Sequence, residues 1–428
     1  MTDAAVPKCK IAKLDELGML ARGKSRHRPR NDPSLYGGDY PFVQTGDIRA
    51  ANLYVVGSEQ TYNGIGLAQS KLWPTGTLCI TIAANIAETA ILGLDACFPD
   101  SVVGFVADSR RADTLFIKYY IDVMKLEMQG MSHGTTQDNL SIEKLTSLEF
   151  KLPAPATQRR IASILSAYDD LIENNLRRIK VLEEMAQSLY KEWFVDFRFP
   201  GHEGVKMVDS PLGMIPEGWE TRRVGDLATI SRGRSYSSEN LVEAGGLPFV
   251  NLKCIDRDGG FRRGGLKWFS GPIKEQHVVR RGDIVMAVTD MTQERRIVAR
   301  AARVPDVGEA GGVMSMDLVK LMPCQVPGSY LYYLLRCSGF PDEVKNHATG
   351  VNVLHLNPDR IADFEVPIPS ADLMEVFSAI ADDALLQQET LETQSGCLQR
   401  TRDLLLPRLI SGEIDVSDLD IDANQGAA

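Results

Sequence analysis

The chain has 428 residues, enough for two to four domains that each bury a core. Its apolar, charged and aromatic fractions are those of a globular protein in water, and no run of about 18 apolar residues suggests a membrane-spanning helix. The formal net charge of −10 at first argues against nucleic acid, but its distribution reverses that reading. From Asp363 onward there are 14 acidic and 3 basic residues, whereas Glu220–Arg303 carries 16 basic against 10 acidic. A local basic footprint on an acidic chain is therefore allowed.

The opening MTDAAVPKCK has no apolar signal core, so a cytoplasmic location is expected. The seven cysteines are scattered with none at C-x-x-C spacing, and the six histidines do not cluster. Neither a disulfide framework nor a metal site is expected.

The first informative stretch is GMLARGKS, Gly18–Ser25, which fits the phosphate-loop pattern G-x-x-x-x-G-K-[ST]. Its context does not fit. The preceding KLDELGML has helical character, and Pro29 and Pro33 forbid a helix directly after it. The chain also repeats itself. KLDELGMLARGKS (Lys13–Ser25) aligns without gaps to RVGDLATISRGRS (Arg223–Ser235), where Ala228 and Arg234 replace Gly18 and Lys24. YPFV (Tyr40–Val43) matches LPFV (Leu247–Val250), GTLCITIA matches GDIVMAVT, and LEFKLPAP resembles FEVPIPSA. The order is kept, so a unit of roughly 200 residues is duplicated in tandem. What both copies retain is Arg-Gly-basic-Ser, not a phosphate loop.

Each unit begins with about 150 residues of short strand-like runs, of which Thr77–Ala84 and Asp283–Thr289 are the clearest. A Pro-punctuated exit follows, then a long helix with Thr157 or Ser370 as the expected N-cap. In the first helix Ile161, Leu165, Tyr168, Ile172, Asn175, Ile179, Leu182, Ala186, Leu189 and Trp193 alternate at spacings of four and three. That is a heptad seam about 50 Å long, with Asn175 as its polar member. The second helix repeats Phe377, Ala384, Leu391, Leu398 and Leu405 every seven, with Leu373, Ile380, Gln387, Gln394 and Thr401 as companions. Pro407 and Gly412 are expected to end it.

The expected fold is α+β: a tandem duplication of a mixed α/β domain plus a long helix. The helices are expected to pair as an antiparallel coiled coil with pseudo-twofold symmetry, giving a dumbbell. The expected divisions are a first recognition domain 1–155, a helix 156–200, a second recognition domain 201–370, a helix 371–412, and a flexible acidic tail 413–428.

No catalytic constellation emerges. PDEVK (Pro341–Lys345) holds nuclease-like elements fused without a spacer, at the end of a helix-like run, and reads as surface charge. No G-x-S-x-G or H-E-x-x-H occurs. The duplicated loops instead suit phosphate and base contact. The first offers Arg22, Lys24, Ser25, Arg26, Arg28 and Arg30; the second offers Arg232, Arg234, Ser235 and Tyr236. Further polar candidates are Thr135, Thr136 and Gln137 in the first unit. In the second unit they are Thr289, Thr292, Gln293, Arg295, Arg296 and Asn352. Arg, Gln and Asn are the residue types that read base edges.

ATQRRIASILSAYDDLIENNLRRIKVLEEMAQSLYKEWFVDFRFPG (Ala156–Gly201) resembles the central region of type I restriction–modification specificity subunits. LLLPRLISGEIDV (Leu404–Val416) resembles their C-terminal end, and Val285–Pro305 a segment of their second recognition domain. The resemblance implies a non-catalytic subunit that reads a bipartite double-stranded DNA target, one half per domain. It further implies that the helices set the gap and dock two methyltransferase subunits, with restriction subunits able to join. It calls for no cofactor in this chain. The rival readings are a coiled-coil adaptor with two protein-binding heads and a phosphate-loop nucleotidase.

Overall fold

The computed structural model describes residues 10–83, 86–132, 140–417 and 419; the side chains of 126–132 are outside the description. Thr135, Thr136 and Gln137 therefore lie outside the described residues. The chain divides into two compact units, Met1–Arg177 with Glu392–Ala428, and Arg178–Leu391.

In the first unit a ribbon pairs Lys10–Lys13 with Glu149–Leu152. The main sheet runs Gly18–Arg22, Val102–Ala107, Leu78–Thr81, Thr89–Leu92, Tyr54–Val55. Leu78–Thr81 and Thr89–Leu92 are buried throughout, which is why they read as unbroken apolar runs and not as alternation. A second sheet runs Gln60–Tyr62, Tyr36–Phe42, Ala96–Cys97, Leu72–Trp73, with Phe42 parallel to Cys97.

The second unit repeats this plan. A ribbon pairs Glu220–Arg223 with Glu365–Ile368. One sheet runs Ala228–Arg232, Leu318–Pro323, Ile284–Ala287, Ala301–Arg303. The other runs Leu241–Val242, Lys267–Phe269, Leu247–Val250, Gly312–Met314, Val278–Val279, again with one parallel pair, Phe249 to Val313. The aligned sequence segments thus occupy equivalent strands.

The first long helix spans Pro155–Tyr190 and passes into a π-turn over Lys191–Val195. It starts two residues before the expected cap. The Ala154 carbonyl accepts from the Gln158 N–H, and Pro155, which has no N–H to leave orphaned, takes the first helical position. The expected seam is its inner face: Ile161, Leu165, Ile172, Asn175, Ala186 and Trp193 are buried, and Tyr168, Ile179, Leu182 and Leu189 are half-buried.

The second long helix spans Ala371–Ile410, with Ser370 directly before it. Phe377, Ala384 and Leu391 are buried and Leu398 and Leu405 half-buried, as expected. Of the companions, Leu373 is half-buried against the core, and the other four are not covered. Ile380 is 47% exposed, and Gln387, Gln394 and Thr401 are exposed. The covered companions are Ala381, Gln388, Ser395, Arg402 and Leu409. They follow the heptad residues by four, the phase of the first helix displaced by 216 residues. Small and polar side chains occupy these positions, so hydrophobicity alone points to the wrong neighbour. Pro407 does not end the helix, which runs one turn further to Ile410.

Within each unit the two helices run antiparallel. In the first unit Ile161, Ala162 and Leu165 share a core with Leu409 and Ile410 and with the domain residues Phe116, Phe150 and Ile80. Val416 is buried in the same core, and the Arg160 guanidinium donates to the Ser417 carbonyl at 2.8 Å. The segment expected to be a flexible tail therefore begins as packed chain. In the second unit Ala186, Tyr190 and Phe194 pack against Phe377, Ala381 and Ala384. Phe194 and Phe377 meet edge to face at 5.2 Å, and Phe194 meets Tyr330 likewise at 5.0 Å.

Candidate nucleic-acid interface

The repeated Arg-Gly-basic-Ser leaves the edge strand of the main sheet in each unit and crosses its own domain backbone at close range. The Gly23 and Lys24 N–H groups donate to the carbonyls of Val102 and Phe98 at 2.9 and 3.0 Å. Those of Gly233 and Arg234 donate to Leu318 and Met314 at 3.1 and 2.8 Å. A Cβ on Gly23 would lie 2.2 Å from the Phe98 carbonyl oxygen, and one on Gly233 2.0 Å from that of Ser315. The glycine is dictated by backbone approach in both copies, not by a phosphate. No helix follows Gly18–Arg22; the segment is a strand.

The first loop divides its cations. Arg28 donates to the carbonyls of Ser25 and His27 at 2.6 and 2.8 Å, and the Arg30 Nη2 donates to both carboxylate oxygens of Asp100 at 2.7 and 3.0 Å. The Gln69 carboxamide oxygen accepts from the N–H groups of Arg26 and His27. Asp32 is held down at about 2, first by the Ser34 N–H, then by the Ser34 hydroxyl and by His27. These contacts fix the loop. Ser25, expected on the binding face, is buried, with its hydroxyl 3.3 Å from that of Tyr62; it supports the loop from beneath. Arg22, Lys24 and Arg26 are exposed and make no ion pair among the described residues. Lys71 joins them from 47 positions beyond Lys24. Its ammonium lies 3.5 Å from the Trp73 ring centroid, and partial burial, then the Lys24 charge, pull its pKa down. The Ser70 hydroxyl donates to the Lys24 carbonyl at 2.7 Å, which holds the two segments together, and neither lysine has an ion pair among the described residues.

In the second unit Arg232 and Ser235 are exposed, while Arg234 is half-buried over the Phe269 ring at 5.6 Å. Tyr236 is half-exposed against the edge of Phe249. Thr289 is buried in a short ribbon with His355 and cannot face a ligand. Thr292, Gln293, Arg296 and Asn352 are exposed, and Arg295 is half-buried with φ +52°. The Thr292 and Gln293 side chains are committed within the protein, to Asp290 at 2.8 Å and to the Val351 carbonyl at 2.6 Å. The fold adds cations that no local motif announced. Lys253, Arg257 and Arg262 line a cleft of about 250 Å³ together with Arg296 and Met291. They come from one stretch, Lys253–Arg262, that the fold brings against Met291 and Arg296, 29 and 34 residues beyond Arg262, which only tertiary structure can show.

The seam carries buried charge of its own. In the first unit Asp169 is fully buried, accepts from the Tyr119 hydroxyl at 2.5 Å and is ion-paired with Arg402. In the second, Arg336 meets Glu183 at 2.6 Å, and Glu389 meets Arg281 and Arg303 at 2.5 and 2.6 Å. Each recognition domain is thereby tied to a long helix. Among the described residues there is no His, Cys, Asp and Glu cluster able to hold a metal, and no helix is long and apolar enough to cross a membrane.

Two α/β domains of one topology, each presenting an exposed basic loop and each fastened to paired helices, define a duplicated DNA-recognition protein. The sequence matches the type I restriction modification DNA specificity domain twice, over residues 8–184 and 216–393, and the chain belongs to that family. It is 24% identical over 420 residues to the type I restriction enzyme MjaIX specificity subunit of Methanocaldococcus jannaschii, covering 96% of this chain and 94% of that protein. It is 21% identical to the HindI specificity subunit of Haemophilus influenzae over 67% of this chain and 74% of that one. The fold is shared with a type I restriction–modification S subunit from M. genitalium (TM-score 0.59, 14% identity, 96% of this chain and 98% of that one).

Proposed function

We propose that this chain reads a split DNA target, one half per unit, and that the long helices set the gap between the halves. The observation that carries this reading is the duplication itself. The same strand plan and the same glycine-anchored basic loop occur twice, and a repeated reader suits a repeated half-site. Lys24, Arg26, Arg22 and Arg232 supply phosphate contacts, and Arg296, Asn352 and the cleft cations act closer to the bases. The boundaries proposed for the recognition domains are 1–155 and 201–370, with the helices between and after them.

The chemistry belongs to partners. Two methyltransferase subunits dock on the paired helices, and restriction subunits join the full assembly. In support, a groove of about 630 Å³ runs between the helices of the second unit, lined by Leu182, Met185, Leu189, Ile380 and Ala384. Met185 is 63% and Ile380 47% exposed along it, so apolar surface is left uncovered there.

The test is to purify the chain with its methyltransferase and sequence the methylated DNA. A motif of two short blocks separated by unspecified bases is expected. A continuous motif, or binding indifferent to sequence and nearly insensitive to salt, would refute the proposal.

A further inference from the structure

The second unit carries a braced pair of loops, each of which exposes one large apolar side chain. Its base is the ribbon that pairs Thr289 with His355 and Asp290 with Leu354. From one strand springs the loop 291–297, from the other the loop 349–353. The Asp290 carboxylate, buried at the base, organises the first loop. One oxygen accepts from the Thr292 N–H and hydroxyl, both at 2.8 Å, and the other from the Ile297 and Val298 N–H groups at 2.8 and 3.3 Å.

The second loop is closed by two backbone bonds between Thr349 and His355, at 3.0 and 2.9 Å. It turns at Gly350, where a Cβ would lie 1.9 Å from the Val353 carbonyl oxygen. The Gln293 carboxamide then straps the loops together by donating to the Val351 carbonyl, and Arg295 reaches the Ala348 carbonyl.

Val351, at the turn of the second loop, is 89% exposed, and Met291, the first residue of the other loop beside the buried Asp290, is 69% exposed. A braced loop loses little entropy on binding, so its tip is built to make contact. The surroundings say with what. Met291 lines the cleft that holds Lys253, Arg257, Arg262 and Arg296 with Asp290 and Glu294; Arg296 is paired with Glu294 at 2.7 Å and Arg262 with Asp256 at 3.8 Å, which leaves Lys253 and Arg257 as cations without an ion pair among the described residues. A polyanion with apolar groups in its grooves answers both features. Duplex DNA offers one such group in the major groove, the C5-methyl of thymine.

We infer that Met291 and Val351 read thymine C5-methyl groups in the half-site recognised by the second unit. This rests on the DNA-reading function proposed above. Gln293, whose residue type suggests adenine recognition, acts instead as a positioning residue that holds the tip.

The experiment uses the full chain with its methyltransferase. The methylated motif is determined first. Duplexes are then made with deoxyuridine replacing each thymine of both half-sites in turn, and binding is measured by competition. The unaltered protein is expected to lose about fourfold affinity at one or more positions, the equivalent of one buried methyl-sized group. Val351→Ala or Met291→Ala should reduce that loss to less than about twofold, in one half-site only, with the other half and the gap unchanged.

Both substitutions lie at exposed positions, so folding is not at issue. The inference is overturned if the unaltered protein ignores every thymine-to-deoxyuridine change, or if both variants discriminate as it does. Failure to find a split motif at all would instead overturn the underlying function, so the two failures are distinct.

Discussion

Replacing Arg402 by Met should destabilise the first unit far more than loss of an ordinary surface ion pair. Asp169 is fully buried, the Arg402 side chain is only 15% exposed, and the two are ion-paired. Among the described residues the remaining donor to the carboxylate is the Tyr119 hydroxyl at 2.5 Å. That phenol stays protonated, because burial first, and the Asp169 charge second, push its pKa up. Without Arg402 a buried carboxylate faces one neutral donor, which costs about 3–5 kcal/mol. At 1.4 kcal/mol per factor of ten, local opening of the helix pair becomes about 100 to 4,000 times more frequent.

Amide hydrogen exchange followed by mass spectrometry over Ile161–Ile172 reads this locally, without assuming that the whole chain unfolds in one step. The double variant Asp169→Asn with Arg402→Met removes both charges and keeps a partner for Tyr119. It should recover at least half of the loss. If Arg402→Met changed protection by less than about 1 kcal/mol, the pair would behave as a solvated one and the reasoning would be wrong.

Gly23→Ala and Gly233→Ala should each destabilise their own unit by about 1–3 kcal/mol, since a Cβ meets backbone oxygen at 2.2 and 2.0 Å; unchanged melting of both variants would contradict the shared role assigned to this glycine. Lys24→Ala should lower the slope of log affinity against log salt by about one, because Lys24 is exposed, makes no ion pair among the described residues and is proposed to contact phosphate. Arg30→Ala should leave that slope nearly unaltered, because Asp100 already neutralises Arg30; equal effects from the two variants would refute the division of the loop. Inserting four helical residues beside Asn175 lengthens the first helix by about 6 Å and should widen the gap in the methylated motif, and an unchanged gap would rule out the ruler. Asp290→Asn should raise amide exchange at Ile297 and Val298, whose N–H groups the carboxylate accepts, and unaltered exchange there would show that the loop is held by other means.

The duplication, the two long helices, the first helix seam and the separation of acidic from basic stretches were all legible in the sequence. These features are written in local period and in repeated order. A heptad repeats every seven residues whatever lies opposite, and the glycines of Arg-Gly-basic-Ser mark their strand exits in both copies. Tertiary structure decided what depends on partners far along the chain. It chose Ala381 over Ile380 as the inward companion, because helix packing is set by space at the facing surface and not by the larger apolar side chain. It separated Arg28 and Arg30, held by the loop and by Asp100, from Lys24 and Arg26, which are otherwise alike in sequence. It buried Ser25 and Thr289, brought Lys71 beside Lys24, and gathered Lys253, Arg257 and Arg262 around Met291. Hydrogen bonding and charge act over a few ångströms of space, and residues that meet at that range can stand dozens of positions apart in the chain.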